Sequence, residues 1–286
     1  MESNWSNSQR VSQSTGAQPE ILPSQPGDVP LESGHSATPR ALKGWAVAPA
    51  TYCLVAVNIA AFLLMAFRFS TTSPSSEQLL AFGADNGGRV LINGEWWRLV
   101  TSTFVHAGPL HIATNMWCLW NLGLLGEPLL GSFGMIAVYL LTGVAGNLLS
   151  IAVNPGPFGD PDGLVGVGAS GAVFGLAGVL ILLLKSKLLP IPEFELKRLR
   201  RSVIYFAILN FVIGASTWFF PSPVRIDNMA HLGGFLSGLA LGVPLMPRIG
   251  SGRQEFIRRQ WIAFGGLAFF LALLAYGLFN FHRSQP

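Results

Sequence analysis

The chain has 286 residues, of which 50% are hydrophobic and only 11% are charged. Soluble domains carry about 25% charged residues, so this chain has too few charges to cover a water-facing surface. The composition excludes an ordinary soluble enzyme or binding domain. The formal net charge of +4 does not indicate a nucleic-acid partner, because positive charge in so apolar a chain usually sets membrane topology.

The first 45 residues are rich in Ser, Pro, Gly and Gln and show no apolar periodicity. A segment of this composition cannot bury enough apolar surface to offset the entropy lost on folding. We expect residues 1–45 to form a disordered cytoplasmic tail, which either regulates the protein or has no function of its own.

Seven segments free of Asp, Glu, Lys and Arg follow the tail. Each is long enough for a helix of about 20 residues, which crosses a hydrocarbon core about 30 Å thick. The segments are 46–67, 100–126, 128–159, 163–184, 202–224, 228–247 and 260–282. The sequence therefore predicts an all-α polytopic membrane protein with seven transmembrane helices, in contact with a lipid bilayer.

The distribution of positive charge predicts the orientation of these spans. If the seven spans alternate across the membrane, 13 of the 18 Lys and Arg residues lie on the side of the N-terminus. Lys and Arg concentrate on the cytoplasmic side of membrane proteins, so we expect a cytoplasmic N-terminus and an external C-terminus. The short loops and the lack of an evident targeting segment point to a bacterial plasma membrane.

The connection between the first two spans is too long for a simple turn and contains an aromatic run at Trp96 and Trp97, followed by Arg98. Tryptophan side chains prefer the bilayer interface, and Arg98 beside them has lipid headgroups or backbone carbonyls within reach. We expect a partly embedded loop.

Spans 2, 4 and 6 all begin at the external face, and span 2 opens with His106, His111 and Asn115. His111 and Asn115 are four residues apart and share a helix face. Both can donate hydrogen bonds to a developing oxyanion; the alternatives are a polar contact between helices or metal ligation. No carboxylate or cysteine stands at ligand spacing, so we expect no metal and no cofactor, and His106 is interpreted as structural.

Span 4 opens with the run Gly168-Ala169-Ser170-Gly171. Ser170 at a helix N-terminus is a candidate nucleophile, because free backbone N–H groups there can donate to an oxyanion. The alternative is packing, since Gly171, Gly175 and Gly178 form a stripe of small residues typical of close helix contact in membranes. Both interpretations are compatible.

Span 6 carries His231, and a histidine inside a membrane segment indicates function by default. The alternative is a polar contact with Asp227 one turn earlier, which we interpret as a helix cap in preference to an orienting group for the imidazole. Gly234, Gly238 and Gly242 repeat every four residues, a flat face that matches the glycine stripe of span 4. These matched faces favour a Ser170–His231 dyad.

Taken together, these residues resemble the rhomboid family of intramembrane serine proteases. The resemblance covers residues 51–246 and rests on Trp97-Arg98, on His106, His111 and Asn115, on residues 168–171, and on the run Ala230-His231-Leu232-Gly233-Gly234.

The resemblance implies a six-helix core, residues 46–247, that holds the Ser170–His231 dyad with His111 and Asn115 beside the oxyanion. It further implies that the backbone N–H of Ser170 donates to the oxyanion and that Phe174 stacks near the catalytic histidine. Residues 248–286 would be a linker and a seventh helix outside the core.

The implied activity is an endopeptidase that cleaves single-pass or other membrane-anchored proteins near the external face. Bulky aromatic residues in span 5 would gate lateral entry of the substrate, although they also suit plain lipid contact. Two other classes compete. A rhomboid-like pseudoprotease lacks the serine or the histidine, which this chain keeps, and a transporter often shows internal repeats and charges at the midplane, which are not evident here.

Overall fold

The computed structural model of the protein describes residues 48–155, 164–219, 226–250 and 252–284. The predicted tail, residues 1–45, lies outside these ranges. The described part is built from α-helices, with one antiparallel pair of two-residue strands. In chain order the elements are α1 (Pro49–Phe69), α2 (Ser76–Phe82), β1 (Asp85–Asn86), α3 (Gly87–Leu91), α4 (Arg98–Thr101), a 3-10 turn (Ser102–Phe104), α5 (Pro109–Val153), β2 (Val165–Gly166), α6 (Ser170–Leu183), α7 (Glu193–Phe219), α8 (Asn228–Leu245) and α9 (Arg253–Arg283).

Four helices in the described ranges are long and apolar enough to cross a membrane: α1, α5, residues Glu193–Ser216 of α7, and α9. A shorter apolar helix, α6, has 14 residues. The all-α polytopic architecture is therefore confirmed, while the number of spans stays a prediction. α7 and α9 begin before their charge-free segments, because Lys and Arg are good helix formers and do not end a helix.

The longest helix, α5, is interrupted at Gly131, whose φ of 74° and ψ of 163° are not helical. Its two limbs, residues 109–130 and 132–153, correspond to the second and third predicted segments. The sequence separates these segments at Glu127, but the chain breaks four residues later, after Pro128, which removes a helical hydrogen bond. Glu127 is instead buried, and its carboxylate accepts hydrogen bonds from Ala50 N and Thr51 N at the start of α1.

Helix α6 lies at the centre of the bundle, with 11 of its 14 residues buried. A Cβ atom on Gly175 would collide with the Thr142 side chain of α5, and one on Gly178 would lie 2.5 Å from the carbonyl oxygen of Phe235 in α8. Glycine lets helix backbones approach closely in membrane proteins. The glycine stripe of α6 therefore fixes the distances between α6 and its neighbours.

The bundle has two distinct ends. At one end, Glu127 caps α1 and Gln260 of α9 donates to the carbonyl of Leu130 over 2.7 Å. At the other end, the first turns of α5, α6 and α8 come together, since Gly168 contacts His111 and Gly171 lies near the Ala230 carbonyl. We call the latter the site end and the former the opposite end.

Candidate active site

Ser170 is the first residue of α6 and is half-buried. The backbone that leads into it is tied to the loop between α1 and α5. Gly168 N donates to the carbonyl of Ser102 over 2.9 Å, and Ala169 N donates to His106 Nε2 over 3.4 Å. These bonds fix the entry to the helix, and with it the position of the serine.

His106 is fully buried, and its hydrogen bonds assign its tautomer. Its Nδ1 lies 3.3 Å from the carbonyl of Phe104, an acceptor only, and its Nε2 accepts from Ala169 N–H. A neutral imidazole donates at one nitrogen and accepts at the other, so His106 carries its proton on Nδ1. This arrangement is structural support for the residue next to Ser170.

His111 and Asn115 lie one turn apart in α5 and both reach the backbone of Gly168. His111 Nδ1 accepts a hydrogen bond from Ala107 N over 3.4 Å, so a neutral His111 carries its proton on Nε2. A Cβ atom on Gly168 would lie 2.8 Å from His111 Nε2 and 3.7 Å from Asn115 Nδ2. The donor groups of His111 and Asn115 therefore lie close to the backbone at Gly168, two residues before Ser170.

Gly168 itself is required at this point for two reasons. Its φ of +113° is a conformation that other residues rarely adopt. The space that a side chain would occupy is taken by the His111 ring. Substitution would displace the ring, and with it the donor at Nε2.

His231 lies in the first turn of α8 and is 5% exposed. Its ring stacks on Phe174 of α6, with centroids 4.3 Å apart and planes at 19°, and Phe211 of α7 meets it edge-on at 6.1 Å. The expected proximity of Phe174 and His231 is therefore present in the structure. This stack therefore holds the orientation of the imidazole ring.

Asp227 caps α8, as its Oδ1 accepts from Met229 N and Ala230 N over 3.1 and 3.0 Å. Its other oxygen accepts a short hydrogen bond from Ser150 Oγ in α5. Within the described ranges, His231 Nδ1 has no hydrogen-bond partner. No carboxylate orients the imidazole through that nitrogen, and Asp227 is accounted for as a cap.

The glycine faces of α6 and α8 meet in register. A Cβ atom on Gly234 would collide with the carbonyl of Gly171, and one on Gly238 with that of Gly175. Ser170 and His231 precede these contacts on their helices, so the two side chains extend from backbones that the glycines bring into direct contact. In the described chain, Ser170 Oγ and the imidazole are not hydrogen-bonded; such bonds are often long before substrate binds.

Arg98 is buried and holds the preceding loop together. Its Nη1 donates to the carbonyls of Leu80 and Ala84, both over 2.7 Å, and its Nε pairs with Glu95. The guanidinium carbon lies 4.4 Å from the ring centroid of Trp97, which is half-exposed. Of the two partners considered for Arg98, backbone carbonyls are the ones observed.

One buried carboxylate near the site was missed by sequence reasoning. Asp85 is 3% exposed on β1, pairs with Gly166 of β2, and lies 3.5 Å from the hydroxyl of Ser102. Burial first, and then the carboxylate of Asp227, raise the pKa of Asp85 to about 7. The available signal was the rarity of acidic residues, 14 in the whole chain, which makes each buried one informative.

The hydroxyl of Ser102 also accepts a hydrogen bond from Asn147 of α5 over 2.8 Å. Since the carbonyl of Ser102 receives Gly168 N–H, Asp85, Ser102 and Asn147 form one network beneath the entry to α6. The sequence alone does not predict which group an asparagine in an apolar helix will bind. The fold shows that Asn147 binds Ser102.

The described ranges contain no group of three His, Cys, Asp or Glu side chains able to hold a metal ion. The His106 and His111 rings lie edge to face, 5.2 Å apart, and each has a nitrogen committed to a backbone hydrogen bond. With its Nδ1 accepting from Ala107 N, His111 keeps its Nε2–H as a hydrogen-bond donor.

Comparison with known proteins identifies a family to which the chain is similar. A model of the Rhomboid domain matches residues 93–248. The Rhomboid protease GluP of Bacillus subtilis is 31% identical over 229 residues, which cover 80% of this chain and 40% of that protein. RHOMBOID-like protein 5 of Arabidopsis thaliana is 36% identical, covering 56% of this chain and 47% of that protein.

The Rhomboid protease AarA of Providencia stuartii is 27% identical over 68% of this chain and 71% of that protein. The chain spans only 40% to 54% of the length of GluP and of RHOMBOID-like proteins 5, 6 and 7. The Rhomboid model nevertheless covers more than half of the chain, including the first turns of α5, α6 and α8. The chain therefore belongs to the rhomboid family.

Proposed function

We propose that this protein is an intramembrane serine endopeptidase in which Ser170 is the nucleophile and His231 the general base. The observation that carries the proposal is the register of the α6–α8 interface, which holds the first turns of both helices backbone to backbone. The names of two similar proteins, the rhomboid proteases GluP and AarA, support the same activity.

In this mechanism His231 takes the proton of Ser170 Oγ as the oxygen attacks the scissile carbonyl carbon. The tetrahedral intermediate forms with its oxyanion toward His111 Nε2–H, Asn115 Nδ2–H and the backbone N–H of Ser170, donors of the kind that stabilise such charge. His231 then protonates the leaving amine as the C–N bond breaks. Water, deprotonated by His231, releases the acyl group and regenerates Ser170.

We propose membrane-anchored proteins as substrates, because the dyad lies at the ends of apolar helices where a transmembrane segment can approach. A peptide bond inside a helix is shielded, so the segment has to unwind before Ser170 can attack. Small or helix-breaking residues lower the free energy of that unwinding.

Phe206 and Phe211 of α7 contact Phe174. α7 is the least buried of the candidate spans besides α9. The sequence allowed two roles for the aromatic residues of this span, a gate for the substrate or contact with lipid. The contacts with Phe174 and the low burial of α7 favour a gate, in which α7 moves to admit the substrate.

The proposed organisation is a tail (1–45), a protease core (46–247), and a linker with a further helix (248–286), in a bacterial plasma membrane with the N-terminus inside. That α5, α6 and α8 begin at the same end supports the alternation of spans from which this orientation was inferred. A background with Cys53→Ala and Cys118→Ala provides the test. Cysteine at Asp160 should react with an impermeant maleimide in intact cells, and cysteine at Glu193 should not; the reverse pattern would invert the topology.

The dyad is tested by labelling with a serine-directed fluorophosphonate and by cleavage of a model transmembrane substrate in liposomes. Ser170→Ala should abolish both, and His231→Ala should abolish cleavage. The double variant should be no worse than either single variant, because the two residues act as a unit. Ser237→Ala is the matched control, since in the described part of the chain its hydroxyl bonds to two carbonyls of its own helix. Cleavage by Ser170→Ala would refute the mechanism.

A further inference from the structure

A cavity lies at the opposite end of the bundle, about 14 residues along α8 from His231 and so about 20 Å from it at 1.5 Å per residue. It has a volume of about 220 Å³ and opens where α8 ends and α9 begins. Its walls combine apolar side chains, among them Leu129, Leu189 and Phe256, with three arginines, Arg248, Arg253 and Arg259. No carboxylate lines it among the residues that the structure describes.

The three arginines differ in their burial and in the hydrogen bonds and ion pairs that they form. Arg259 is 9% exposed, and its Nη1 donates to the carbonyls of Pro244 and Met246 over 2.9 and 3.0 Å, so it is anchored in the wall. Arg248 and Arg253 are exposed, and none of the ion pairs within the described ranges involves them. The cavity therefore presents positive charge that the protein does not balance locally.

We propose that this cavity binds an anionic phospholipid, with its phosphate between Arg248 and Arg253 and the start of an acyl chain against Leu189 and Phe256. The planar guanidinium matches phosphate oxygens in a two-point hydrogen bond. Basic pockets between transmembrane helices are known as headgroup sites. The apolar walls favour a lipid over free phosphate, since a free ion leaves Leu189 and Phe256 without a partner.

The site is separate from the proposed dyad and does not depend on it. It joins the linker after α8 to the first turn of α9, so an occupied site would fasten α9 to the core at this end. The lipid belongs to whichever leaflet faces the opposite end, and the proposal holds for either orientation of the chain.

The test is native mass spectrometry of the full-length protein released from nanodiscs of phosphatidylglycerol or of phosphatidylcholine. The unmodified protein should retain phosphatidylglycerol in preference to phosphatidylcholine. The double variant Arg248→Gln/Arg253→Gln should lose at least about tenfold in retention, since each charge-assisted bond is worth a comparable factor. Arg258→Gln is the matched control, because Arg258 is exposed on the same helix but does not line the cavity.

Further measurements distinguish a bound lipid from free phosphate and from a general effect of surface charge. Leu189→Trp fills the apolar part while keeping every charge, and it should also reduce retention; unchanged retention would overturn the acyl-chain part of the proposal. Millimolar inorganic phosphate should not displace the lipid, and full displacement would mark a free-phosphate site instead. An equal loss in Arg258→Gln would show general surface charge and overturn the site. Ser170→Ala should bind lipid like the parent protein, whatever becomes of the proposed function.

Discussion

The two ends of the bundle use buried polar groups in opposite ways. At the opposite end, the carboxylate of Glu127 accepts four hydrogen bonds of 2.7–2.8 Å, from Ala50 N, Thr51 N, Thr51 Oγ1 and Ser132 Oγ. At the site end, His231 is as well buried, yet its Nδ1 has no partner in the described part of the chain.

Asn115 lies at the same end. Its Nδ2 donates to the carbonyl of His111 in its own helix over 2.9 Å and lies 3.7 Å from the position that a Cβ atom on Gly168 would take. A buried polar atom without a partner costs roughly 1–3 kcal/mol, so a fold tolerates it where the group serves another purpose. The comparison separates polar groups that hold the helices together from polar groups kept available for a substrate.

Among variants that leave the proposed dyad intact, the largest effect on activity is expected from Asn115→Ala. If Asn115 donates to the oxyanion, its removal should lower the turnover of a transmembrane substrate by about 10²–10³-fold. Fluorophosphonate labelling of Ser170 should weaken but persist, because the dyad is untouched, and the melting temperature should change little.

Thr114→Ala serves as the control for Asn115→Ala, since Thr114 is an exposed neighbour whose hydroxyl bonds to its own helix. Turnover should be insensitive to EDTA in both variants. Loss of activity in EDTA and its return with zinc would make His106 and His111 metal ligands and overturn the comparison.

Gly234→Ala tests whether the position of the base depends on backbone contact. The new methyl group would meet the carbonyl of Gly171, so α6 and α8 must separate near the dyad. A displacement of about 1 Å can lower the rate by about 10²-fold. Gly265→Ala in α9 is the matched change, because nothing lies within 4 Å of a Cβ atom there, and its activity should equal that of the parent. Equal activities for both variants would refute this dependence.

Glu127→Gln tests the opposite end, where stability and not chemistry should respond. The amide keeps one acceptor and loses the charge, so the free energy of unfolding should fall by about 1.5–3 kcal/mol. Turnover per folded molecule should stay unchanged. Glu77→Gln, an exposed change in α2, should affect neither quantity. A selective loss of turnover in Glu127→Gln would mean that the two ends are not separable as described.

The sequence predicts the membrane class, the segments that carry the helices, and the residues that meet at the site end. Periodicity and charge suffice because the bilayer demands long apolar helices and small residues at their contacts. His111, Ser170 and His231 lie on spans 2, 4 and 6, so the alternation of spans alone predicts that they share one face of the membrane.

Other features depend on tertiary contact and carry no such signal. Glu127 interrupts an apolar run and suggests a loop, yet its four donors come from residues that only the fold brings to it. Asp85 looks like a loop residue, and its support of the entry to α6 follows from a strand pair of two residues. Such short pairings lack any periodicity that could predict them.

The smallest expected effect concerns Asp85 and is visible only as a function of pH. Its pKa is raised to about 7, from an ordinary value of 3.8, mainly by burial and then by Asp227. Between these two values the folded protein holds a proton that the unfolded chain releases. The stability that Asp85 contributes is therefore complete below about pH 4 and is lost as the pH rises toward 7.

Asp85→Asn replaces this carboxyl by a neutral group of the same shape and removes the pH dependence. The melting temperature of the parent should fall relative to that of Asp85→Asn between pH 5 and pH 8, because most of the pH window between the two pKa values lies in this interval. A difference of about 1 kcal/mol corresponds to 2–4 °C. Asp85→Ala should melt lower than Asp85→Asn at both pH values, because it leaves Ser102 and Gly166 without their partner. A difference between parent and Asp85→Asn that is the same at pH 5 and pH 8 would show that Asp85 does not titrate in this range. In that case the carboxylate would belong with Glu127, among the groups whose charge is fully balanced by donors.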